Sequence, residues 1–177
     1  MLEQKVIINI FGPSCGGKST TADLLKERVE RLYIVDFDVV KRQFSDFYWK
    51  RDRQDAEMLT LDLLESATKT GLPLLALLPP PKSAEDFKKM LAIAIRNDYR
   101  VINVEIYAPD EILIARYADR LKRIEESGTK WKFKTMDEYK DTLNKSYFKP
   151  EKRIEFDSSI DSPESIVDNL LTVIKDS

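Results

Sequence analysis

The chain has 177 residues, 42% of them apolar, and a formal net charge of −2. That is apolar material for one ordinary domain over 1–177, with too little net charge for a global pull toward nucleic acid or an anionic membrane. The absence of histidine excludes imidazole bases and histidine metal ligands, and the one cysteine, Cys15, cannot form an internal disulfide, which fits a reducing cytoplasm.

Residues 1–5 lead into no long apolar stretch, so neither a signal peptide nor a membrane span is expected. Val6, Ile7, Ile8, Asn9, Ile10 and Phe11 read as a short buried parallel strand. Then comes Gly12-Pro13-Ser14-Cys15-Gly16-Gly17-Lys18-Ser19, which matches G-x-x-x-x-G-K-[ST]. Glycines there let main-chain N–H groups crowd round a phosphate, and the helix that follows points its positive end at it. Lys18 is placed to reach the β- and γ-phosphates and Ser19 to ligate Mg²⁺, with Thr20 completing the nucleotide-binding stretch 12–20. Ala22, Leu25 and Val29 recur at helical spacing after it, so strand, loop and helix come in the required order.

Residues 32–38 read as a second strand ending in two acids, Asp36 and Asp38, which share a side if the strand is still extended there. Asp38 is open to two readings: an acid facing the phosphate loop, or a cap for a helix over 39–47. Residues 49–70 form one amphipathic helix stopped by Gly71. A leucine-rich strand follows over 72–78, with Pro73 only at its beginning and Pro79-Pro80-Pro81 ending it. Ser83 and Asp86 open the next helix, and residues 101–107 make a fourth strand.

Pro109-Asp110 starts a helix whose apolar face is Ile114, Tyr117, Leu121 and Ile124. Arg116, Arg120 and Arg123 stand at i, i+4 and i+7, projecting from one side either as a phosphate clamp or as a solvated face paired with Asp119 and Glu126. Lys130-Trp131-Lys132-Phe133-Lys134 alternates cations with aromatics, a pattern that serves a single-stranded nucleic acid, a nucleotide or a solvated loop. Nucleic acid thus stays open as a partner, although the overall charge does not indicate it. Thr135 and Glu138 predict a capping box for a helix bearing Tyr139, Leu143 and Tyr147. A short last strand over 154–157 and a helix from Ser162-Pro163-Glu164 complete an alternation that calls for a parallel sheet covered on both faces.

Three of these segments together resemble the small P-loop kinases, a group with phage-type polynucleotide 5′-hydroxyl kinase, chloramphenicol phosphotransferase, zeta toxins, and gluconate and shikimate kinases. They are the loop 12–19, the run Asp36-Phe37-Asp38-Val39-Val40-Lys41-Arg42, and Arg116-x-x-x-Arg120 after a strand and Pro109. The resemblance runs over nearly the full chain in element order, and only these segments are specific. It implies an α/β three-layer sandwich with five parallel strands in order 2-3-1-4-5 and a helical lid at roughly 116–148. It implies ATP-dependent, Mg²⁺-assisted transfer of the γ-phosphate to a hydroxyl of a small molecule, a nucleoside or nucleotide, or a polynucleotide end. By the same likeness Asp38 activates the acceptor hydroxyl, Lys41 or Arg42 contacts substrate, and Arg116 and Arg120 are lid arginines. Asp36 and Arg123 join Lys41 and Arg42 as substrate-contact candidates.

One departure bears on activity. Many of these kinases carry an acid at the end of the third strand that helps hold Mg²⁺, whereas here that strand ends Leu77-Leu78-Pro79-Pro80. Either Asp36 takes over metal duty beside Ser19, or the metal is held more weakly, or the chain is a nucleotide-binding scaffold with catalysis lost. A GTPase-like switch is the remaining alternative. Its N-K-x-D signature is missing, since Asn144-Lys145-Ser146-Tyr147 lacks the acid, and no Asp stands three before a glycine.

Overall fold

The computed structural model describes residues 5–127 and 135–176, so the patch at 130–134 lies outside the described residues. All six residues of β1 (Val6–Phe11) are buried, as β-branched side chains with no polar alternation require of a strand covered on both faces. Four more parallel strands join it: β2 (Tyr33–Asp36), β3 (Leu74–Leu77), β4 (Arg100–Tyr107) and β5 (Ile154–Asp157). The order is β2-β3-β1-β4-β5, with Ile7 opposite Leu74 and Phe11 opposite Glu105. The expected sheet is the one found.

Strand alternation sorts the core into two layers. Ile8, Ile10, Leu75, Val104 and Ile106 pack on one face with Ala22 and Leu25 of α1 (Lys18–Arg28) and Ile166, Val167, Leu170 and Ile174 of α7 (Pro163–Asp176). Ile7, Val35, Leu74 and Ala76 pack on the other with Leu64 and Ala67 of α3 (Trp49–Thr68) and Met90, Ile93 and Ala94 of α4 (Ala84–Arg96). Asn9, buried on that second face, donates its Nδ2–H to the Oδ1 of half-buried Asn103 at 3.0 Å. A third cluster lies beyond the sheet. There Leu113 and Tyr117 of α5 (Asp110–Glu126) meet Tyr139 of α6 (Met136–Leu143), with Cys15 packed against them.

Local chemistry fixes several boundaries as expected. Ser83 caps α4 through the Asp86 N–H, and Thr135 and Glu138 close a reciprocal capping box on α6. Gly71, at φ +73°, turns the chain out of α3 toward β3.

Two expectations need correction. The second strand stops at Asp36, and the chain turns at once into α2 (Phe37–Lys41), five residues long instead of a helix over 39–47. The cause is the Asp36 carboxylate, which accepts the Asp38 N–H at 2.7 Å and so caps the helix two positions earlier than Asp38 could. Asp36 and Asp38 are therefore not strand neighbours on one side. Second, Tyr147 is not on α6, which ends at Leu143. Its hydroxyl donates to Glu105 at 2.6 Å, and its ring meets Phe11 edge-on at 6.2 Å.

Because β1 lies between β3 and β4, connections depart to opposite sides of it, and a crevice opens at its carboxyl end. The phosphate-loop sequence occupies that end.

Candidate functional site

The turn from β1 into α1 is moulded against the neighbouring strand. Gly12 has φ +136°, and a Cβ there would stand 2.1 Å from the Ile106 carbonyl oxygen, so no other residue fits without moving β4. Gly17, at φ +101°, is the N-cap of α1 and carries no capping side chain. Cys15 is a non-glycine residue at φ +64°. These left-handed turns lead into α1, whose first-turn N–H groups have no partner within the helix, while the Gly16 N–H is tied back to the Pro13 carbonyl at 3.2 Å.

The Lys18 ammonium is folded into this turn, donating to the carbonyls of Pro13 at 2.6 Å and Gly12 at 3.0 Å. Its removal from water lowers its pKa to about 8. The nearby charge of Asp38 opposes that shift most, followed by Cys15 and then Asp36, while Arg120 reinforces it. Residues from the loop, the β2 end and α5 thus lie within electrostatic reach of one ammonium group. Ser14, Ser19 and Thr20 are exposed at the rim of the loop, whereas Gly16 is buried.

Asp38 lies in the first turn of α2, its side chain about half exposed, and accepts from the Lys41 ammonium at 2.6 Å. Asp36 is less open. Burial raises its pKa above the usual carboxylate value, against the Asp38 N–H bond, while the Arg42 charge pulls it down. Ser19 and Asp36 line one cavity of about 330 Å³ between α1, β2 and α2, with Asp23 and Lys26 also on its wall. Among the described residues no group of three or more Cys, Asp or Glu side chains could hold a metal by itself.

The arginine row divides. Arg116 donates to Ser158 Oγ at 2.8 Å, to the Ser158 carbonyl at 2.7 Å and to the Cys15 carbonyl at 3.3 Å. It therefore braces the phosphate loop against the turn after β5. Arg120 is half-buried one turn on, within reach of Lys18. Arg123 is exposed and donates to the Asp119 carbonyl at 3.4 Å on its own helix, away from the convergence.

Two further groups escape the sequence reading. Tyr139 donates its hydroxyl to the Ser14 carbonyl at 2.7 Å and stacks on Tyr117 with centroids 3.9 Å apart. It straps α6 onto the phosphate loop. Helical spacing identifies Tyr139 as an inward residue of α6, but nothing local reveals a partner 125 positions away. The other is Glu105, fully buried on β4, which accepts from Tyr147, from Lys149 at 2.6 Å and from Arg153 at 2.8 Å. Burial works to raise its pKa, but the bonds from Lys149, Tyr147 and Arg153 outweigh it and hold the carboxyl below its ordinary value. Glu105 stands in register with Phe11, next to the loop, yet its three partners occupy it. It is no substitute for the acid missing from the end of β3.

No family model and no curated protein matches the chain. Solved structures do. A provisionally assigned kinase from Chloroflexus aurantiacus superposes with a TM-score of 0.73 at 16% identity, over 96% of this chain and 98% of that one. APS kinase from Mycobacterium tuberculosis, in complex with AMPPNP and APS, gives 0.67 at 17% identity, covering 98% and 99%. A gluconokinase from Sinorhizobium meliloti gives 0.66 at 14%, covering 97% and 92%. The fold is that of the small P-loop kinases.

Proposed function

We propose that the protein is an ATP-dependent phosphotransferase that moves the γ-phosphate of ATP to an alcohol. One observation carries this reading: the glycine turn between β1 and α1 is cast against the Ile106 carbonyl, with the Lys18 ammonium folded into it on the Gly12 and Pro13 carbonyls and the charges of Asp38, Asp36 and Arg120 within its electrostatic reach. Phosphoryl transfer needs charge neutralised on the donor, an acceptor held in line, and a group to take the acceptor's proton. Lys18 and the loop N–H groups of residues 12–20 supply the first. A polyphosphate draws the Lys18 ammonium off the Gly12 and Pro13 carbonyls. Asp38 takes the hydroxyl proton, with Lys41 holding its carboxylate in place. Arg120 faces the transferring phosphate, and Arg116 keeps the loop closed against Ser158. Lys41 and Arg42 stand beside the acceptor, while Arg123 remains on the outer face of α5. The α5–α6 pair acts as the lid.

Ser19 and Asp36 suit a divalent cation, because they share one cavity and burial leaves the Asp36 carboxylate short of compensating charge. A bound Mg²⁺ would neutralise phosphate charge there. Among the described residues no helix is long and apolar enough to cross a membrane. A cytoplasmic place for the enzyme rests on the lone cysteine.

The test is γ-phosphate release or transfer from ATP by the purified chain, with and without Mg²⁺. Turnover that depends on Mg²⁺ and is lost in Asp38→Asn supports the reading. ATP binding with no turnover across a panel of sugars, nucleosides and antibiotics would instead favour the scaffold.

A further inference from the structure

Four aromatic side chains gather where α2 gives way to α3, and Tyr48 lies between two of them, Phe47 and Trp49, in sequence. Phe37 is buried, while Tyr48 and Trp49 are 54% and 47% exposed. Trp49 meets Phe37 and Phe47 edge-on at 6.2 Å each, and Phe47 meets Phe44 at 5.7 Å. The Arg53 guanidinium lies 5.0 Å from the Trp49 ring centre. An unbroken chain of contacts joins this corner to the proposed base: Lys41 holds Asp38 at 2.6 Å and lies 5.9 Å from the centre of the Phe37 ring, which abuts Trp49.

The corner is also basic. Residues 41–53 carry Lys41, Arg42, Lys50, Arg51 and Arg53 against Asp46 and Asp52. Arg51 is neutralised by Asp52 and Arg53 by Glu57, so the charge offered outward is that of Arg42 and Lys50. Half-exposed indole and phenol rings beside such cations are costly on a free surface and well suited to a flat ring with an attached anion.

We propose that the acceptor is a nucleotide-type alcohol: a hydroxyl presented to Asp38, a planar ring laid against Trp49 and Tyr48, and an anion facing Arg42 and Lys50. This rests on the phosphotransfer reading and narrows its substrate class. It disfavours plain polyols, which offer the corner neither a π face nor a charge.

The test uses the full chain carrying Trp131→Phe, so that Trp49 is the remaining tryptophan, with AMP-PNP and Mg²⁺ saturating the donor side. Tryptophan fluorescence is followed while AMP, GMP, CMP or UMP is added, with adenosine, ribose 5-phosphate and ribitol as probes lacking the anion, the aromatic ring or both. At least one nucleotide should quench Trp49. In calorimetry, Trp49→Ala should weaken binding of that nucleotide about tenfold, the scale of a lost stacking contact. Trp49→Phe should restore most of that affinity, and ribose 5-phosphate should bind the parent chain and the Trp49→Ala variant alike. Arg42→Ala with Lys50→Ala should weaken the nucleotide but not adenosine. AMP-PNP affinity, measured in every variant, separates the two levels of inference. Failure to bind AMP-PNP in the parent chain overturns phosphotransfer and the acceptor with it. Normal AMP-PNP binding with no Trp49-dependent nucleotide binding overturns the acceptor assignment alone.

Discussion

Lys18 is a cation kept in a place that disfavours cations. Its pKa of about 8 means that polyphosphate binding, which supplies the missing countercharge, must draw in a proton where the free site is part neutral. ATP affinity should therefore fall as pH rises through 8, and calorimetry near pH 8.5 in buffers of differing ionisation enthalpy should show proton uptake. Folding stability responds with the opposite sign. Between about 8 and the ordinary value of 10.5 the unfolded chain binds more protons at this position, so this residue makes the fold more stable as pH rises across that window. Asp38 has a sharper signature: Asp38→Asn should lower kcat by roughly 10²–10⁴-fold, the usual range for a general base, with ATP affinity changed little. A variant with full kcat would remove Asp38 from the mechanism. The place of Lys18 in the turn was legible in the sequence because the loop motif fixes it by spacing alone, whereas the role proposed for Asp38 comes from the resemblance to the small P-loop kinases. Arg116 was legible as a residue near the site but not as a brace, since its partners, Ser158 and the Cys15 carbonyl, come from distant segments.

At the scale of an element, α2 shows how one short-range bond redirects a reading. Apolar spacing and the two acids at 36 and 38 suit a strand end, and the strand ends two residues early because the Asp36 side chain satisfies the Asp38 N–H. The same carboxylate thus has a structural task and a proposed metal task, and substitutions can divide them. Asp36→Asn keeps an acceptor for the cap, so the fold should hold while the Mg²⁺ concentration for half-maximal turnover rises. Asp36→Ala should in addition cost about 1 kcal/mol of stability in a denaturant titration. Equal Mg²⁺ dependence in wild type and Asp36→Asn would leave the metal to Ser19. Tyr139→Phe retains the stack on Tyr117 but loses the Ser14 bond. A loss of about 1 kcal/mol is expected, with weaker ATP binding, since the strap sits on the loop itself. The caps at Ser83 and Thr135 were readable because a cap is written within four residues. The straps across the loop were not.

Over the whole molecule the parallel sheet followed from alternation, a property of the entire pattern, whereas its strand order came from the resemblance to the small P-loop kinases. Glu105 did not follow, because a single acid in an apolar run gives no hint of the tyrosine, lysine and arginine that return to it some 42 to 48 positions later. Those partners pin the segment after α6 across the sheet, helped by the Phe148 N–H on the Pro81 carbonyl at 2.8 Å. Glu105→Ala would take the counterion from Lys149 and leave Arg153 with Glu155 alone, and because both cations reach solvent it should destabilise by about 1–3 kcal/mol. The melting temperature then drops by about 2–4 °C for each of those kcal/mol. Glu105→Gln, which keeps the size and some of the bonds, should lose less.

The glycine turn is cast against the Ile106 carbonyl, and its lysine already lies coiled within it. A receptacle formed before its guest arrives has little chain left to order. Capture of the donor should then resemble a plug entering a rigid socket, with a modest entropic penalty, and the slower adjustments should fall to whatever grips the alcohol on the far bank.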